Sequence, residues 1–344
     1  MKTTSAPTLH DVARHAGVST ATVSRALNEP ERVTEKTREK VLRVVEQLGY
    51  TPHFGGRALV SNRSNTMGAV IPTMDNAIFA RGIQAFQETL AKAGVTLLVA
   101  SSSYDPEREL DQIRALVSRG TDALMLIGTE RPAESYAMLN RRRIPYVLAW
   151  SYQADADECF VGFDNRAAAA AMAREVLARG HRRIGMIAGI TAANDRAHDR
   201  VEGVRAAVQA APFSGPDMPI VEAVYSLDGG AQAMEKLLAR DPSITAVLCG
   251  NDVLAVGAIQ HAKAQRLNVP GDISITGFDD IELASVVDPG LTTVHVPHTR
   301  MGEAAANALL SMRDGSHNVG AVKLETHVIV RASLGPPRGH AVVW

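Results

Sequence analysis

Thr8-Leu9-His10-Asp11-Val12-Ala13-Arg14-His15-Ala16-Gly17-Val18-Ser19-Thr20-Ala21-Thr22-Val23-Ser24-Arg25-Ala26-Leu27-Asn28 is the stretch whose reading decides the fold. Leu9, Val12, Ala13 and Ala16 fall at i, i+3, i+4 and i+7, one apolar stripe of a short helix. Gly17 supplies a residue tolerant of positive φ for a tight inter-helix turn. Ser19 is a suitable N-cap for a second helix whose buried side is Val23 and Ala26/Leu27. A third helix is expected from the cap Thr34 to Gly49, with Val41, Val45 and Leu48 facing inward. Three short helices with a glycine turn between the first two make a helix-turn-helix, although the turn alone would suit any small helical bundle.

The second helix favours the former. Its outward residues Thr20, Ala21, Thr22, Ser24, Arg25 and Asn28 are small or polar, as docking onto a duplex requires. Hydroxyls and amides reach phosphate oxygens, and an arginine can fork onto guanine O6 and N7. Residues 1–63 hold ten Lys+Arg against six Asp+Glu, a net of +4, whereas the remainder holds 26 against 31. The basic excess therefore sits where phosphates would be met. It is modest, so two copies on one operator are expected.

At 344 residues the chain exceeds one ordinary domain. A hydrophobic share of 46% with 21% charged residues is that of an ordinary globular protein. No long apolar run suits a membrane span, and Met1–Pro7 lacks the apolar core of a signal peptide, so a cytoplasmic protein without membrane partners is expected. Cys159 and Cys249 are too few for a disulfide framework or a zinc site, and the eleven histidines are scattered without ligand spacing. No cofactor and no metal are expected.

From residue 64 the pattern becomes alternating β and α. Met67–Ile71, Thr96–Ala100, Ala123–Ile127, Tyr146–Ala149, Arg183–Ala188, Ala246–Leu248 and Ile273–Gly277 read as buried parallel strands. Helical stretches lie between most of them: Ala77–Ala93, Glu107–Arg119, Arg166–Arg179, Val201–Gln209 and Val253–Arg266. The alternation implies an α/β fold of two doubly wound subdomains facing each other across a cleft, with ligands at the carboxyl ends of the strands. No phosphate loop, Walker motif, nucleophile elbow or catalytic cluster is present, which argues against an enzyme.

The chain resembles the lactose-repressor (LacI/GalR) family of bacterial transcription regulators. The likeness rests on the opening stretch, on Leu48-Gly49-Tyr50-Thr51-Pro52, Gly180-His181-Arg182-Arg183-Ile184, Gly250-Asn251-Asp252 and Gly277-Phe278-Asp279-Asp280, and on Leu291-Thr292-Thr293-Val294 followed by Met301-Gly302. It implies a helix-turn-helix domain (8–51), a hinge (52–63), a periplasmic-binding-protein-like core (64–335) and a tail (336–344). It also implies a homodimer on a pseudo-palindromic operator, controlled by a small molecule. No leucine heptads follow Arg331, so a dimer is expected rather than a tetramer. A sugar-binding transport protein would account for the core alone.

By position in the family, Thr20, Ala21 and Arg25 face base edges, and Ser19, Thr22, Ser24, Asn28 and Thr34 hold phosphates. Leu59 matches the family's minor-groove wedge. The hinge departs from the family through Gly55 and Gly56, each costing a helix about 1 kcal/mol relative to alanine, so it is expected to order only on DNA. Chain crossings between subdomains are expected near 162–165, 290–295 and 319–324. Effector contacts are expected from Asp164, Asn251, Asp279 and Arg200, with Arg196 one turn earlier and Thr73, Asn76 and Phe79 after the first core strand. Asp164 and Asn251 could instead be helix caps, and Asp252 reads as one. Paired arginines beside carboxylates suit a sugar acid, and several short strings look like the gluconate-utilisation repressors; a neutral sugar is the alternative.

Overall fold

A computed structural model describes residues 6–51, 63–75, 77–154, 156–212, 218–316 and 319–338. The hinge residues 52–62, including Gly55, Gly56 and Leu59, lie outside the described residues, as do Asn76 and the tail residues 339–344. Contacts divide the chain into two units, residues 1–64 and 65–344.

The first unit holds α1 (Leu9–Ala16), α2 (Thr20–Asn28), a 3-10 turn (Pro30–Arg32) and α3 (Glu35–Leu48). A reciprocal cap opens α1: the Thr8 hydroxyl accepts from Asp11 N at 3.3 Å, and the Asp11 carboxylate accepts from Thr8 N at 3.0 Å. Gly17 closes it with φ +62°, a left-handed conformation that glycine adopts without strain. Val12, Ala13, Ala16, Val23, Ala26 and Val41 fill the small core, with Tyr50 beneath them. On α3 Val41 is buried and Val45 and Leu48 pack half-buried against this core, as expected, and Val44, which the spacing did not single out, is buried with them.

The second unit is α/β throughout. Its amino-terminal lobe carries β1 (Thr66–Ile71), α4 (Ala77–Lys92), β2 (Thr96–Ser101), α5 (Pro106–Ser118), β3 (Ala123–Ile127), α6 (Ala133–Arg142), β4 (Tyr146–Ala149) and β5 (Phe160–Gly162). The other lobe carries α7 (Asn165–Ala178), β6 (Ile184–Gly189), α8 (Asp195–Gln209), β7 (Ile220–Ala223), α9 (Leu227–Arg240), β8 (Ala246–Cys249), α10 (Asp252–Ala264), β9 (Ser274–Thr276) and α11 (Glu282–Val286). Then follow β10 (Thr293–His295), α12 (His298–Arg313), β11 (Val322–Lys323) and β12 (His327–Ile329). The first sheet has the order β11-β5-β4-β3-β1-β2 and the second β7-β6-β8-β9, both parallel. An antiparallel ribbon, β10-β12, lies where the chain passes between lobes.

Fully buried β1 and β3 explain why their sequences are apolar without alternation. Strands β7 and β10–β12 run for two to four residues, too short for a periodic signal, and the sequence pattern did not reveal them. The third crossing begins at the carboxyl end of the expected 319–324 stretch, since Val322 and Lys323 still pair with Val161 and Gly162. Helix α8 starts at Asp195, six residues before the expected stretch, because Asn194 caps it through Ala197 N. That earlier start puts Arg196 and Arg200 on one helix, a turn apart.

After the second crossing, α12 returns to the amino-terminal lobe and packs along α4. Gly302 makes the close approach possible, because a Cβ there would collide with the carbonyl oxygen of Gly82. Gly302→Ala should therefore destabilise the core by about 1–3 kcal/mol through overpacking. A thermal or urea unfolding curve checks this, and an unchanged midpoint would show that the helices can part without cost.

Candidate functional site

In the first unit, α2 presents its amino-terminal end. Ser19 accepts from Thr22 N at 3.1 Å, and the two hydroxyls lie 2.8 Å apart. Ser19, Thr20, Ala21, Arg25 and Thr34 are exposed, while Thr22 and Ser24 are half-buried. The Asn28 side chain lies outside what the structure describes. Thr34 caps α3 through Thr37 N at 3.4 Å, and the two hydroxyls sit 2.9 Å apart. Arg14 and Arg32 are tied to Asp11 and Glu29 at 2.7 and 2.9 Å. Arg25 has no ion-pair partner among the described residues. Its guanidinium stands on the face expected to meet base edges.

In the second unit residues that follow strands of the two sheets meet, Thr129 after β3 and Ser151 after β4 reaching Asp195 after β6, and strand carboxyl ends are where open α/β sheets bind ligands. Arg200, on α8, is buried there. It donates from Nε to Asn165 Oδ1 at 2.9 Å, from Nη1 to the Gly250 carbonyl at 2.7 Å and from Nη2 to Asp279 Oδ1 at 3.4 Å. The guanidinium carbon lies 3.8 Å from the Phe278 ring centroid. Burial pushes the Asp279 carboxyl up to about 6, with Arg200 holding it back from going higher. Three buried polar atoms nearby have no hydrogen-bond partner: Asp279 Oδ2, Asn251 Nδ2 and Thr276 Oγ1.

The loop after β9 is held from beneath. Asp252 accepts from Ile281 N at 2.8 Å and from the Thr293 hydroxyl at 2.6 Å. Burial first, and then the neighbouring Asp279 charge, push its carboxyl up to about 8. Asp252 is therefore no helix cap: Asn251 caps α10, accepting from Leu254 N at 2.9 Å, which frees Asp252 to anchor the loop. Asp279 and Asp280 both have positive φ, +104° and +54°.

Several expected contacts stand elsewhere. The Asp164 carboxylate caps α7 through Ala167 N at 2.8 Å. The residue that enters the cleft at this junction is Asn165, 2% exposed, joining Arg200 to the Trp150 carbonyl at 2.9 Å. Thr73 accepts from Asp75 N at 3.1 Å, a turn contact. Phe79 is buried edge-on against Trp150, with ring centroids 5.4 Å apart. Arg196 donates to Asp195 Oδ1 at 2.6 Å and to the Ile127 carbonyl at 3.3 Å. It borders a narrow crevice of about 20 Å³ shared with Ser102, Tyr104 and Glu109.

Two connectors across the cleft escaped the sequence reading. The Trp150 indole N–H donates to His298 Nδ1 at 3.2 Å, so the ring proton sits on Nε2, which donates to the Asp279 carbonyl at 3.3 Å. Burial pushes His298 down to about 4, which keeps it neutral. Asp195 accepts from Thr129 N at 2.9 Å, the Thr129 hydroxyl at 3.0 Å and the Ser151 hydroxyl at 2.9 Å. Burial opposes its ionisation, yet Arg196 and these hydrogen bonds hold the carboxyl below its ordinary value. Nothing in the spacing of Thr129, Ser151 and Asp195 could have signalled the latch. Asp195→Ala should cost about 3 kcal/mol, leaving Arg196 buried without its carboxylate and Ser151 without its acceptor. Urea denaturation measures this, and a loss below about 1 kcal/mol would mean that Asp195 does not hold the lobes together.

A family model described as bacterial regulatory proteins, lacI family, matches residues 8–53, and one described as a periplasmic binding protein-like domain matches residues 173–334. The HTH-type transcriptional repressor CytR of Escherichia coli K12 is 33% identical over 333 residues, 96% of this chain and 97% of its own. The HTH-type transcriptional repressor PurR of Klebsiella pneumoniae strain 342 is 35% identical over 305 residues, 88% of this chain and 89% of its own. The crystal structure of the transcription regulator GntR from Chromobacterium violaceum superposes with a TM-score of 0.73 at 30% identity, covering 78% of this chain and 99% of that one. These relatives are regulators, in agreement with the absence of a catalytic motif. No helix among the described residues is long and apolar enough to cross a membrane.

Proposed function

Because the chain belongs to the LacI family of bacterial regulatory proteins, we propose that it represses transcription as a dimer on a pseudo-palindromic operator, its grip set by a small polyhydroxylated effector between the core lobes. Each headpiece places α2 in a major groove, with Thr20, Ala21 and Arg25 toward base edges and Ser19, Thr22, Ser24, Asn28 and Thr34 toward phosphates. Leu59 is the proposed minor-groove wedge.

The observation that carries the effector reading is the pair of unpartnered buried atoms beside Arg200. Asp279 Oδ2 accepts and Asn251 Nδ2 donates, so together they suit hydroxyl groups, which do both. Leaving such atoms unmatched is costly, and a ligand that satisfies them gains that energy. Arg196 on the adjoining crevice supplies a fork for a carboxylate, which makes a sugar acid such as gluconate the ligand class. A neutral sugar is the second reading, favoured by the fact that Arg196 and Arg200 each already face a carboxylate of the protein. Binding between lobes shifts their orientation and with it the dimer geometry, and a coupling of about 1–3 kcal/mol is enough for useful control.

Arg25→Ala should weaken operator binding by about 1–3 kcal/mol and relax preference at one base pair per half-site. Footprinting across operator variants checks this; retained base preference would remove Arg25 from the base-reading set. Calorimetry with gluconate, 2-ketogluconate, related hexonates and neutral sugars tests the effector. Binding of an acid, lost in Asp279→Ala, is the expected outcome. Binding of a neutral sugar with no response to any acid would overturn the sugar-acid reading and leave the repressor reading standing.

A further inference from the structure

The ribbon of β10 and β12 brings together two histidines that lie 32 positions apart in the chain. His295 and His327 are directly opposed in the antiparallel register, so their side chains share one face of the ribbon. Their ring centroids are 4.9 Å apart and the rings are tilted by 38°. His327 is exposed, and the His295 side chain is 37% exposed. Both rings are thus open to solute.

The hydrogen bonding of His295 settles which nitrogen is available. Its Nδ1 lies 2.8 Å from Asp280 Oδ2. The other carboxylate oxygen of Asp280 accepts from Arg331 Nη2 at 2.7 Å, which fixes the carboxylate in place. In the neutral ring Nδ1–H donates to Asp280, and Nε2 keeps its lone pair with no partner among the described residues. A carboxylate that orients one imidazole nitrogen and raises the basicity of the other is the outer-shell arrangement of metal-bound histidines. Neither ring nitrogen of His327 has a partner among the described residues.

We propose that His295 and His327 form a two-histidine site for a divalent transition ion of the kind imidazole prefers, Zn²⁺, Ni²⁺ or Cu²⁺, with Asp280 as the residue that orients His295. Both nitrogens must come within about 2 Å of one ion, which requires the exposed His327 ring to turn. No group of three or more His, Cys, Asp or Glu suited to a metal occurs among the described residues, so water completes the coordination. Two protein nitrogens make the site exchangeable rather than structural. Its location ties the ion to the cleft, because His295 and Asp279 are bridged along the backbone and Asp280 is the next residue. An ion on His295 Nε2 strengthens the Nδ1–H···Asp280 contact and stiffens the loop that carries Asp279.

Isothermal titration of the chelator-stripped full chain with Zn²⁺ and Ni²⁺ at neutral pH tests the site, comparing wild type with His295→Gln, His327→Gln and Asp280→Asn. The expected result is one binding event per chain that disappears in either histidine variant and weakens roughly tenfold in Asp280→Asn. Thermal melts of the unloaded variants guard against misfolding, and His327→Gln, at an exposed position, retains the fold. Equal metal binding by wild type and His327→Gln would overturn the proposal and assign any binding to other histidines, as would no binding at all by wild type.

Discussion

A buried guanidinium organises the cleft of this protein. Arg200 is taken out of water, and a charge in that position is tolerable only if protein groups replace its hydration. The replacements come from three separate segments: Asn165 at the head of α7, the Gly250 carbonyl after β8, and Asp279 after β9, with the Phe278 ring beneath. Three strand-to-helix junctions are thereby positioned against one planar group. Asp279 in turn would be far more costly to bury without Arg200, since desolvation is the main force on its carboxyl. The two charges and the geometry of the junctions depend on one another.

That mutual dependence explains why the loop after β9 tolerates two consecutive non-glycine residues at positive φ. Such conformations persist when the surroundings over-determine them. Here the surroundings are Asp252 accepting from Ile281 N and Thr293, the Arg331–Asp280–His295 chain, and the Asp279 amide bonded to the Val294 carbonyl. Across the cleft, the amino-terminal lobe makes no matching charge pair with Arg200 among the described residues. It reaches over with neutral donors instead, the hydroxyls and amide around Asp195 and the uncharged His298 ring. Hydroxyl and amide contacts can be exchanged for those of a ligand without stranding a full charge, which suits a cleft that must accept and release a small molecule.

Much of the site was legible because certain residues announce themselves by neighbours in sequence. Ser19 and Thr34 precede apolar helical stripes, and they cap those helices. Arg200 and Asp279 belong to strings at strand-to-helix junctions, and they meet at the centre of the cleft. Cap and ligand roles were harder to separate, since both ask for Asp or Asn at the same kind of junction. Asp164 caps its helix while its neighbour Asn165 reaches Arg200, and Asn251 caps a helix through its oxygen while its nitrogen is buried without a partner. A shift of one residue is invisible to residue type alone.

The chain's own order of residues determined the helix-turn-helix, the α/β alternation, the division into headpiece and core, and the placing of polar residues at strand ends, because each depends on spacings of a few residues that local geometry converts directly into a face or a turn. Tertiary structure alone decided which of those residues touch. Thr129 and Ser151 meet Asp195, Trp150 meets His298, and His295 meets His327 through separations of 66, 44, 148 and 32 positions. Those encounters follow from strand order and from the path of the chain between lobes, which are set by the packing of whole sheets and helices. Local periodicity carries no record of that packing.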